Sequence, residues 1–159
     1  MLSRSSEYAI RALAYLAGNT ANGEGSWVLS RQIGEELGIP SPFLAKILQT
    51  LASEGILESQ RGRKGGFRLA RPADQTSLFE IVEPFDRLGQ QRLCVLGQKT
   101  CSPEAACPLH ETWHATLSAF EQALRDTSLA DVGRRAMPGG FPWNQKRPDG
   151  GDTGPLWSV

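Results

Sequence analysis

The sequence predicts a mainly α-helical fold with one small β-hairpin and a long C-terminal helix. Three observations lead to this prediction: two short helices joined by a tight turn, a basic glycine-rich hairpin directly after them, and a late helix with a single apolar seam. The first two, in that order, are typical of a winged helix-turn-helix, in which the hairpin is the wing. The 159 residues suffice for one such domain with an appendage.

Three helices are predicted ahead of the hairpin. Apolar side chains recur at helical spacing in residues 5–17, which predicts an amphipathic first helix. A serine at the N-cap is expected to start each of the next two helices, which run from Ser30 to Leu37 and from Ser41 to Ser53. Gly38 is expected to end the second helix in a left-handed conformation, and Pro42 suits the first turn of the third. The short connection indicates a helix-turn-helix.

A basic hairpin follows. Residues 56–59 and 67–70 are predicted to be short strands, and Gly65-Gly66 suits a tight turn because glycine adopts positive φ at little cost. Residues 61–71 contain no acidic side chain and five cations, which are Arg61, Arg63, Lys64, Arg68 and Arg71. A solvated basic loop is the alternative, but the position directly after the helix pair favours a wing. Residues 1–75 are therefore assigned to a DNA-binding domain.

The partner predicted for this domain is double-stranded DNA. In a helix-turn-helix the second helix enters the major groove with its N-terminal residues at the base edges. Contacts are expected from this helix, from the wing and from the first helix, through Ser41, Pro42, Phe43, Lys46, Gln49, Arg61, Arg63, Lys64 and Arg4. Such proteins commonly bind as twofold dimers, so a palindromic operator is expected.

The rest of the chain is divided into three parts. Residues 76–107 are predicted to be a connecting helix and a cysteine-rich loop; Ser77 and Glu80 form a capping-box pattern, and Pro84 is expected to stop the helix after Glu83. Residues 108–130 are predicted to be a dimerisation helix, with an apolar seam of Leu109, Trp113, Leu117, Phe120 and Leu124. Packing within the chain is possible, but pairing with a second copy is preferred, which gives a homodimer. Residues 131–159, rich in glycine and proline, are predicted to be a mobile tail.

All three cysteines lie in one short segment, with both histidines directly after it. Six residues separate Cys94 from Cys101, five separate Cys101 from Cys107, and two separate Cys107 from His110. Thiolates bind soft metals, and such wide spacings allow a loop to wrap around a centre. Four interpretations remain open on the residues alone: an iron–sulfur cluster, a zinc site of three cysteines and one histidine, a metal-free thiol switch, and cysteines buried as small hydrophobic residues.

Composition excludes several classes of function. The formal net charge is zero, so binding to nucleic acid must come from the local distribution of charge. No apolar run is long enough to span a membrane, and Arg4, Glu7 and Arg11 interrupt the N-terminal segment, so a cytoplasmic protein is expected. Thiols stay reduced in that compartment, which favours metal or redox chemistry over disulfides. No nucleophile–base set or cofactor motif of an enzyme is found, so no catalytic residue is assigned.

In combination these features resemble the IscR/NsrR-like family of bacterial winged helix-turn-helix iron–sulfur transcription regulators. The matching stretches are the first helix SEYAIRAL, the helix pair LSRQIGEELGIPSPFLAKILQTL, the wing RGRKGGFRL and the three-cysteine loop that closes on CPLH. They cover about residues 1–130. The resemblance implies a homodimeric regulator whose iron–sulfur cluster sets its DNA affinity in response to redox state, nitric oxide or iron–sulfur status.

The resemblance also implies a ligand set. Cys94, Cys101 and Cys107 would be the thiolate ligands, and the fourth ligand would be His110 or Glu7 of the partner subunit, with His110 preferred. A two-iron cluster is expected in preference to a four-iron cluster. The spacing between the first two cysteines is one residue longer than is common in the family, which leaves both types open. A zinc-stabilised or thiol-switch regulator without a cluster is the alternative function.

Overall fold

The computed structural model describes residues 2–19, 26–62, 65–88, 96–97, 102–103 and 106–134. The elements follow in the order α1 (Arg4–Asn19), α2 (Ser30–Leu37), α3 (Ser41–Ser53), β1 (Leu57–Gln60), β2 (Gly66–Leu69), a 3₁₀ turn (Ala73–Gln75), α4 (Leu78–Asp86), α5 (His110–Asp126) and α6 (Leu129–Arg134). The fold is mainly helical with one antiparallel hairpin, which confirms the predicted fold class. The predictions for Arg63, Lys64, Cys94, Cys101 and residues 135–159 concern positions outside the described residues.

The core forms around α1. This helix contacts α2, α3, α4 and α6, and half of its residues are buried. Its fully buried side chains include Ala9, Ala12 and Leu13. The buried face of α3 packs against it and consists of Leu44, Ile47, Leu48 and Leu51. Each of these four side chains contributes about 1.5–3 kcal/mol by leaving water, so α3 is held firmly on one face.

The helix-turn-helix is present, but its helices do not start as predicted. The N-cap residues are Leu29 and Pro40, and neither makes a side-chain capping bond. Ser30 and Ser41 are the first helical residues instead, so the predicted serine caps are wrong. The ring of Pro40 restricts its φ, here −55°, and its carbonyl accepts the first α-helical hydrogen bond. Gly38 has φ 64° and ψ 28°, which confirms the predicted left-handed helix end.

The hairpin differs from the prediction at its glycines. β1 and β2 pair with Gln60 opposite Gly66, so Gly66 belongs to the strand and does not form a tight turn with Gly65. Gly66 has φ 141°, and a side chain there would collide with the backbone of Val28. Val28 and Phe67 exchange backbone hydrogen bonds of 3.0 and 2.9 Å. Val28, ahead of α2, therefore pairs with β2 through an isolated antiparallel β-bridge, and its close approach requires glycine at position 66.

α4 begins as predicted and ends later. The Ser77 hydroxyl accepts the N–H of Glu80, and the Glu80 carboxylate accepts the N–H of Ser77, which confirms the capping box. The helix continues through Pro84 to Asp86, so the predicted stop after Glu83 is wrong. Proline removes one intrahelical donor, but the residue after the helix donates its N–H to the carbonyl of Glu83 at 2.9 Å. This bond closes the last turn.

One of the two C-terminal helices, α6, extends across the predicted boundary between the dimerisation helix and the tail. Leu124, at the end of the apolar seam of α5, is buried in the core, whereas Leu109 is 44% exposed and the other three seam residues are half-buried. After Asp126 the chain leaves α5 and enters α6, in which Leu129 and Val132 are buried. The boundary predicted between residues 130 and 131 therefore falls inside a packed helix. Residues 131–134 belong to the folded domain and not to the predicted tail.

Candidate nucleic-acid interface and cysteine site

The exposed face of α3 carries the predicted base contacts. Ser41, Pro42, Phe43, Lys46 and Gln49 are all exposed, and the buried leucines and isoleucine occupy the opposite side of the helix. Because packing fixes the buried face, these five side chains stand on a rigid support. Lys46 is the single charged residue in the sequence of α3. The arrangement suits entry of the helix N-terminus into a DNA groove.

α1 supports the start of α3 through an aromatic pair. The ring centroids of Tyr8 and Phe43 are 5.8 Å apart, and the rings are nearly perpendicular, at 80°. The start of α1 is itself anchored, because the N–H of Ser3 donates to both carboxylate oxygens of Asp86 at 3.2 and 3.1 Å. Arg4 is exposed and lies one helical turn before Tyr8. Arg4 is therefore placed on the same side of α1 as the aromatic pair.

The wing cations differ in whether a carboxylate neutralises them. Arg61 is exposed at the end of β1. Arg68 is 2.7 Å from the carboxylate of Glu58 on the paired strand, and Arg71 is 2.7 Å from the carboxylate of Glu80 on α4. Both carboxylates lie outside the basic stretch, so the composition of that stretch does not indicate that these two charges are neutralised. Of the described wing cations, Arg61 is the best placed for a phosphate.

Glu80 joins the base of the wing to α4. One carboxylate oxygen accepts a hydrogen bond from Arg71 Nη2 at 2.7 Å, and the other accepts the N–H and the hydroxyl of Ser77 at 2.9 and 3.0 Å. Burial acts to raise the pKa of Glu80, but the hydrogen bonds from Ser77 and Arg71 outweigh it and hold the pKa below 4.5, the ordinary value. The carboxylate is therefore charged near neutral pH.

A cavity of about 540 Å³ lies beside this connection. It is bordered by three arginines and three glutamates, namely Arg71, Arg87, Arg125, Glu54, Glu80 and Glu83. The guanidinium carbon of Arg125 is 3.4 Å from the centroid of the Phe79 ring, so the end of α5 reaches the cavity. The formal charges of the bordering groups balance, and no single class of ligand is indicated.

A buried arginine links α1 to the helix-turn-helix. Arg11 is 4% exposed, and its Nη2 donates to the carbonyl of Leu37 at 2.9 Å. Its Nη1 is 3.8 Å from a carboxylate oxygen of Glu7. Leu37 is the last residue of α2, directly before the turn into α3. Glu7, one of the two candidate fourth ligands, is therefore connected through Arg11 to the end of α2.

Cys107 and His110 lie together at the start of α5. Cys107 is buried, and its carbonyl accepts the N–H of His110 at 2.9 Å. The ring of His114 follows one turn later, with its centroid 4.6 Å from that of His110. Within the described residues, no three Cys, His, Asp or Glu side chains are grouped closely enough to hold a metal. A buried thiol and an imidazole from the same turn of the chain are donor types that fit a soft metal or a cluster, provided that Cys94 and Cys101 complete the set.

Comparison with known proteins identifies the family. The model of the Rrf2 family, described as iron-dependent transcriptional regulators, matches residues 2–135. This chain belongs to the Rrf2 family. An HTH-type transcriptional regulator of Aquifex aeolicus is 32% identical over 134 residues, which cover 83% of this chain and 90% of that protein. A second, from Mycobacterium tuberculosis strain H37Rv, is 35% identical over 138 residues, covering 86% and 83%.

Solved structures with the Rrf2 fold are similar over most of the chain. CymR of B. subtilis, described as the global cysteine regulator, has a TM-score of 0.69 at 18% identity and covers 86% of this chain and 98% of its own. IscR of T. potens has a TM-score of 0.66 at 21% identity, with coverage of 84% and 86%. The oxidised form of Staphylococcus aureus CymR has a TM-score of 0.66 at 22% identity, with coverage of 86% and 98%. At these identities the likeness establishes the fold.

Membership of the Rrf2 family makes this protein a DNA-binding transcriptional regulator, as the sequence predicts. Proteins of this class are in general not enzymes, in line with the lack of an assigned catalytic residue. The family match ends at residue 135, next to the end of α6 at Arg134. In the described part of the chain, no helix is both long and apolar enough to cross a membrane.

Proposed function

We propose that this Rrf2 protein is a homodimeric regulator whose promoter affinity is controlled by an iron–sulfur cluster that senses redox state, nitric oxide or iron–sulfur status. The observation that carries the proposal is the buried thiol of Cys107, which stands with His110 where α5 begins. α5 continues from there into the core of the winged-helix domain through Leu124. A change in ligation at Cys107 is therefore expected to act on α5 and, through it, on the DNA-binding domain.

The proposed thiolate ligands are Cys94, Cys101 and Cys107. The fourth ligand is His110, or Glu7 of the partner subunit. His110 is favoured because its N–H donates to the carbonyl of Cys107, so the two residues belong to the same turn of the chain. A bound cluster supplies a centre that exchanges electrons and is open to attack by oxygen and nitric oxide, whereas zinc in the same ligands would supply structure without a redox response.

Arg11 supplies a route from Glu7 to the DNA-reading helices. Its guanidinium bridges the Glu7 carboxylate and the carbonyl of Leu37, and its burial leaves it little freedom to move. A Glu7 side chain that turned away towards a ligand set would remove the negative charge beside Arg11. Because Leu37 directly precedes the turn into α3, we expect the orientation of α3 to respond.

The apolar seam of α5 supports the homodimer. Leu109 is 44% exposed, while Trp113, Leu117 and Phe120 are half-buried within one chain. A second copy that covers the seam removes apolar surface from water at about 25 cal/mol per Å². A twofold dimer presents two α3 helices, and a palindromic operator with half-sites about one DNA turn apart then matches its symmetry.

A thiol switch without a metal is the second candidate function. It is favoured by the likeness in fold to CymR, one structure of which is an oxidised form. Two of the three cysteines would then form a disulfide on oxidation, and the change in the loop would alter α5. A zinc-stabilised regulator would use the same residues.

The test is purification without air, followed by iron, sulfide and zinc analysis, an absorbance spectrum and a DNA affinity measurement on the same sample. We expect about two iron and two sulfide per chain, the content of a two-iron cluster. Promoter affinity should change when nitric oxide destroys the cluster. Colourless protein with stoichiometric zinc would reject the proposal, and so would a cluster whose loss leaves affinity unchanged. Metal-free protein whose affinity follows thiol oxidation would establish the second candidate.

Matched variants identify the ligands. Cys107→Ala should abolish the visible absorbance. His110→Ala and Glu7→Gln separate the two candidates for the fourth ligand, because the variant that loses iron identifies it. His114→Ala is the control, since it removes an imidazole one helical turn away from His110.

A further inference from the structure

The first turn of α3 presents an exposed aromatic ring. Phe43 is the third residue of the helix and is 39% exposed. Among the described residues it belongs to a group of four exposed large hydrophobic side chains, with Leu29, Leu96 and Leu109. It is the member of this group that lies on α3, in the turn that helix-turn-helix proteins place at the base edges. An apolar ring in that position has no polar group with which to read a base by hydrogen bonding.

The ring is held in place before any DNA is bound. Tyr8, which is 7% exposed, contacts Phe43 edge-on with 5.8 Å between the ring centroids. Tyr8 is fixed in turn by the guanidinium of Arg11, whose carbon lies 5.6 Å from the Tyr8 centroid. The next residue after Phe43, Leu44, is fully buried and anchors the helix backbone. Little side-chain entropy therefore remains to be lost when Phe43 meets a partner.

The major groove offers one apolar group to such a ring. Its base edges display hydrogen-bond donors and acceptors, except for the 5-methyl group of thymine. The neighbours of Phe43 in the first turn, Ser41 and Pro42, carry no charge, and the first cation of the helix is Lys46. A recognition helix of this composition is suited to a T-containing half-site more than to a bidentate contact with guanine.

We propose that Phe43 determines specificity by contacting the 5-methyl group of one thymine in each operator half-site. The inference rests on the DNA binding of the Rrf2 family and, for the two half-sites, on the proposed homodimer; it does not depend on the iron–sulfur cluster. Uracil differs from thymine only by this methyl group and keeps every hydrogen-bonding atom. Replacing thymine by deoxyuridine in the operator therefore isolates the contact.

The experiment begins with selection of operator sequences from random duplexes by the full-length protein, purified without air. Each thymine is then replaced by deoxyuridine at symmetric positions, and affinity is measured by fluorescence anisotropy. We expect one position at which the loss of the methyl group weakens binding about fourfold in one half-site and about fifteenfold in both. For Phe43→Ala, the thymine and deoxyuridine operators should bind equally at that position.

Controls separate this contact from a loss of folding. The thymine-to-deoxyuridine ratio is taken within each protein, so it does not change with the fraction of active molecules. Leu29→Ala truncates another exposed apolar side chain and should keep the full ratio. The assignment is overturned if no deoxyuridine position matters, or if Phe43→Ala retains the ratio. If no sequence is selected, sequence-specific DNA binding as a whole is overturned. The iron and sulfide analysis is independent of all these outcomes.

Discussion

Ser77 and Ser128 pair across an antiparallel β-bridge that joins the start of α4 to the start of α6. Backbone hydrogen bonds of 2.9 and 2.8 Å flank the bridge and are donated by the N–H groups of Leu78 and Leu129. The end of α5 is thereby fixed to the point at which α4 begins. Because Glu80 of α4 binds Arg71 at the base of the wing, the same few residues connect α5 to the wing.

The Ser128 cap of α6 can be tested by truncation. Ser128 Oγ accepts the N–H of Asp131 at 3.2 Å, and the Asp131 carboxylate accepts the N–H of Ser128 at 2.9 Å. We expect Ser128→Ala to lower the free energy of unfolding by about 1 kcal/mol, since it removes a capping bond. Ser118→Ala, on the exposed face of α5, should change it by less than about 0.5 kcal/mol. Urea denaturation at one protein concentration measures both, and equal effects would mean that the cap does not hold α6.

Two i, i+4 ion pairs differ in burial and should therefore differ in their contribution to the free energy of unfolding. Arg11 is buried and binds the Leu37 carbonyl as well as Glu7, whereas Arg31 and Glu35 of α2 are 81% and 69% exposed. Arg11→Met should cost about 1–3 kcal/mol of stability, because it leaves the Leu37 carbonyl without this donor. Arg31→Met should cost no more than about 0.5 kcal/mol. Thermal and urea unfolding provide the comparison, and similar losses in both variants would contradict the role given to Arg11.

Glu80 is expected to make stability depend on pH in acid. Burial alone would raise its pKa, but the hydrogen bonds from Ser77 and Arg71 hold the pKa below 4.5 in the folded state. The unfolded chain therefore takes up the proton at higher pH than the folded chain does. The stabilisation is complete above the unfolded value and is lost as pH falls through the lower folded value.

The measurement compares the parent with Glu80→Gln by urea unfolding at a series of pH values. The difference in unfolding free energy should be constant from about pH 7 to about pH 5.5 and should shrink below that range. In Arg71→Gln the loss of stability in acid should be smaller and should end at higher pH, because one of the groups that lower the folded-state pKa of Glu80 is gone. The pH at which the loss begins should stay the same, since the unfolded chain sets it. A difference that stays constant down to about pH 3 would show that Glu80 does not titrate in this way.

Arg61 and Arg68 test how the wing uses its charges on DNA. Arg61 is exposed, whereas Arg68 is 2.7 Å from Glu58 and lies over the ring of Trp27 at 4.5 Å. Arg61→Ala should weaken binding to all sequences and reduce the slope of log Kd against log salt by about 1. Arg68→Ala should leave the slope unchanged, since Glu58 already neutralises that charge. Anisotropy titrations at several salt concentrations measure both slopes. An equal loss of slope in the two variants would mean that the Arg68–Glu58 ion pair breaks when the protein binds DNA.

Features determined within a few residues were predicted well. The three N-terminal helices, the hairpin and the Ser77 capping box follow from periodicity, glycine placement and cap chemistry, each of which acts within about one turn. The Ser128 box has the same signature, a serine three residues before an acidic residue, and it was overlooked. The serine caps of α2 and α3 were wrong because Pro40, or an extended Leu29, already serves as the N-cap.

The residues of the candidate site were predicted from the sequence, but only part of their spatial arrangement was. The structure presents an exposed face of α3 that carries Ser41, Pro42, Phe43, Lys46 and Gln49. It also joins Cys107 to His110 by a backbone hydrogen bond. Contact with DNA by these individual residues stays a prediction, as does ligation by the cysteines. Which wing cations are neutralised could not be foreseen, because Glu58 and Glu80 lie outside the basic stretch.

By itself, the sequence determined the winged-helix architecture, the family and the concentration of soft ligands in one segment. Tertiary structure alone decided that Gly66 makes room for Val28, that Arg11 holds the end of α2, and that Arg68 is neutralised. The physical reason is that the last two interactions join residues 26 and 10 positions apart in the chain. Their strength depends on distance and burial in the folded state, and neither periodicity nor local propensity encodes those quantities.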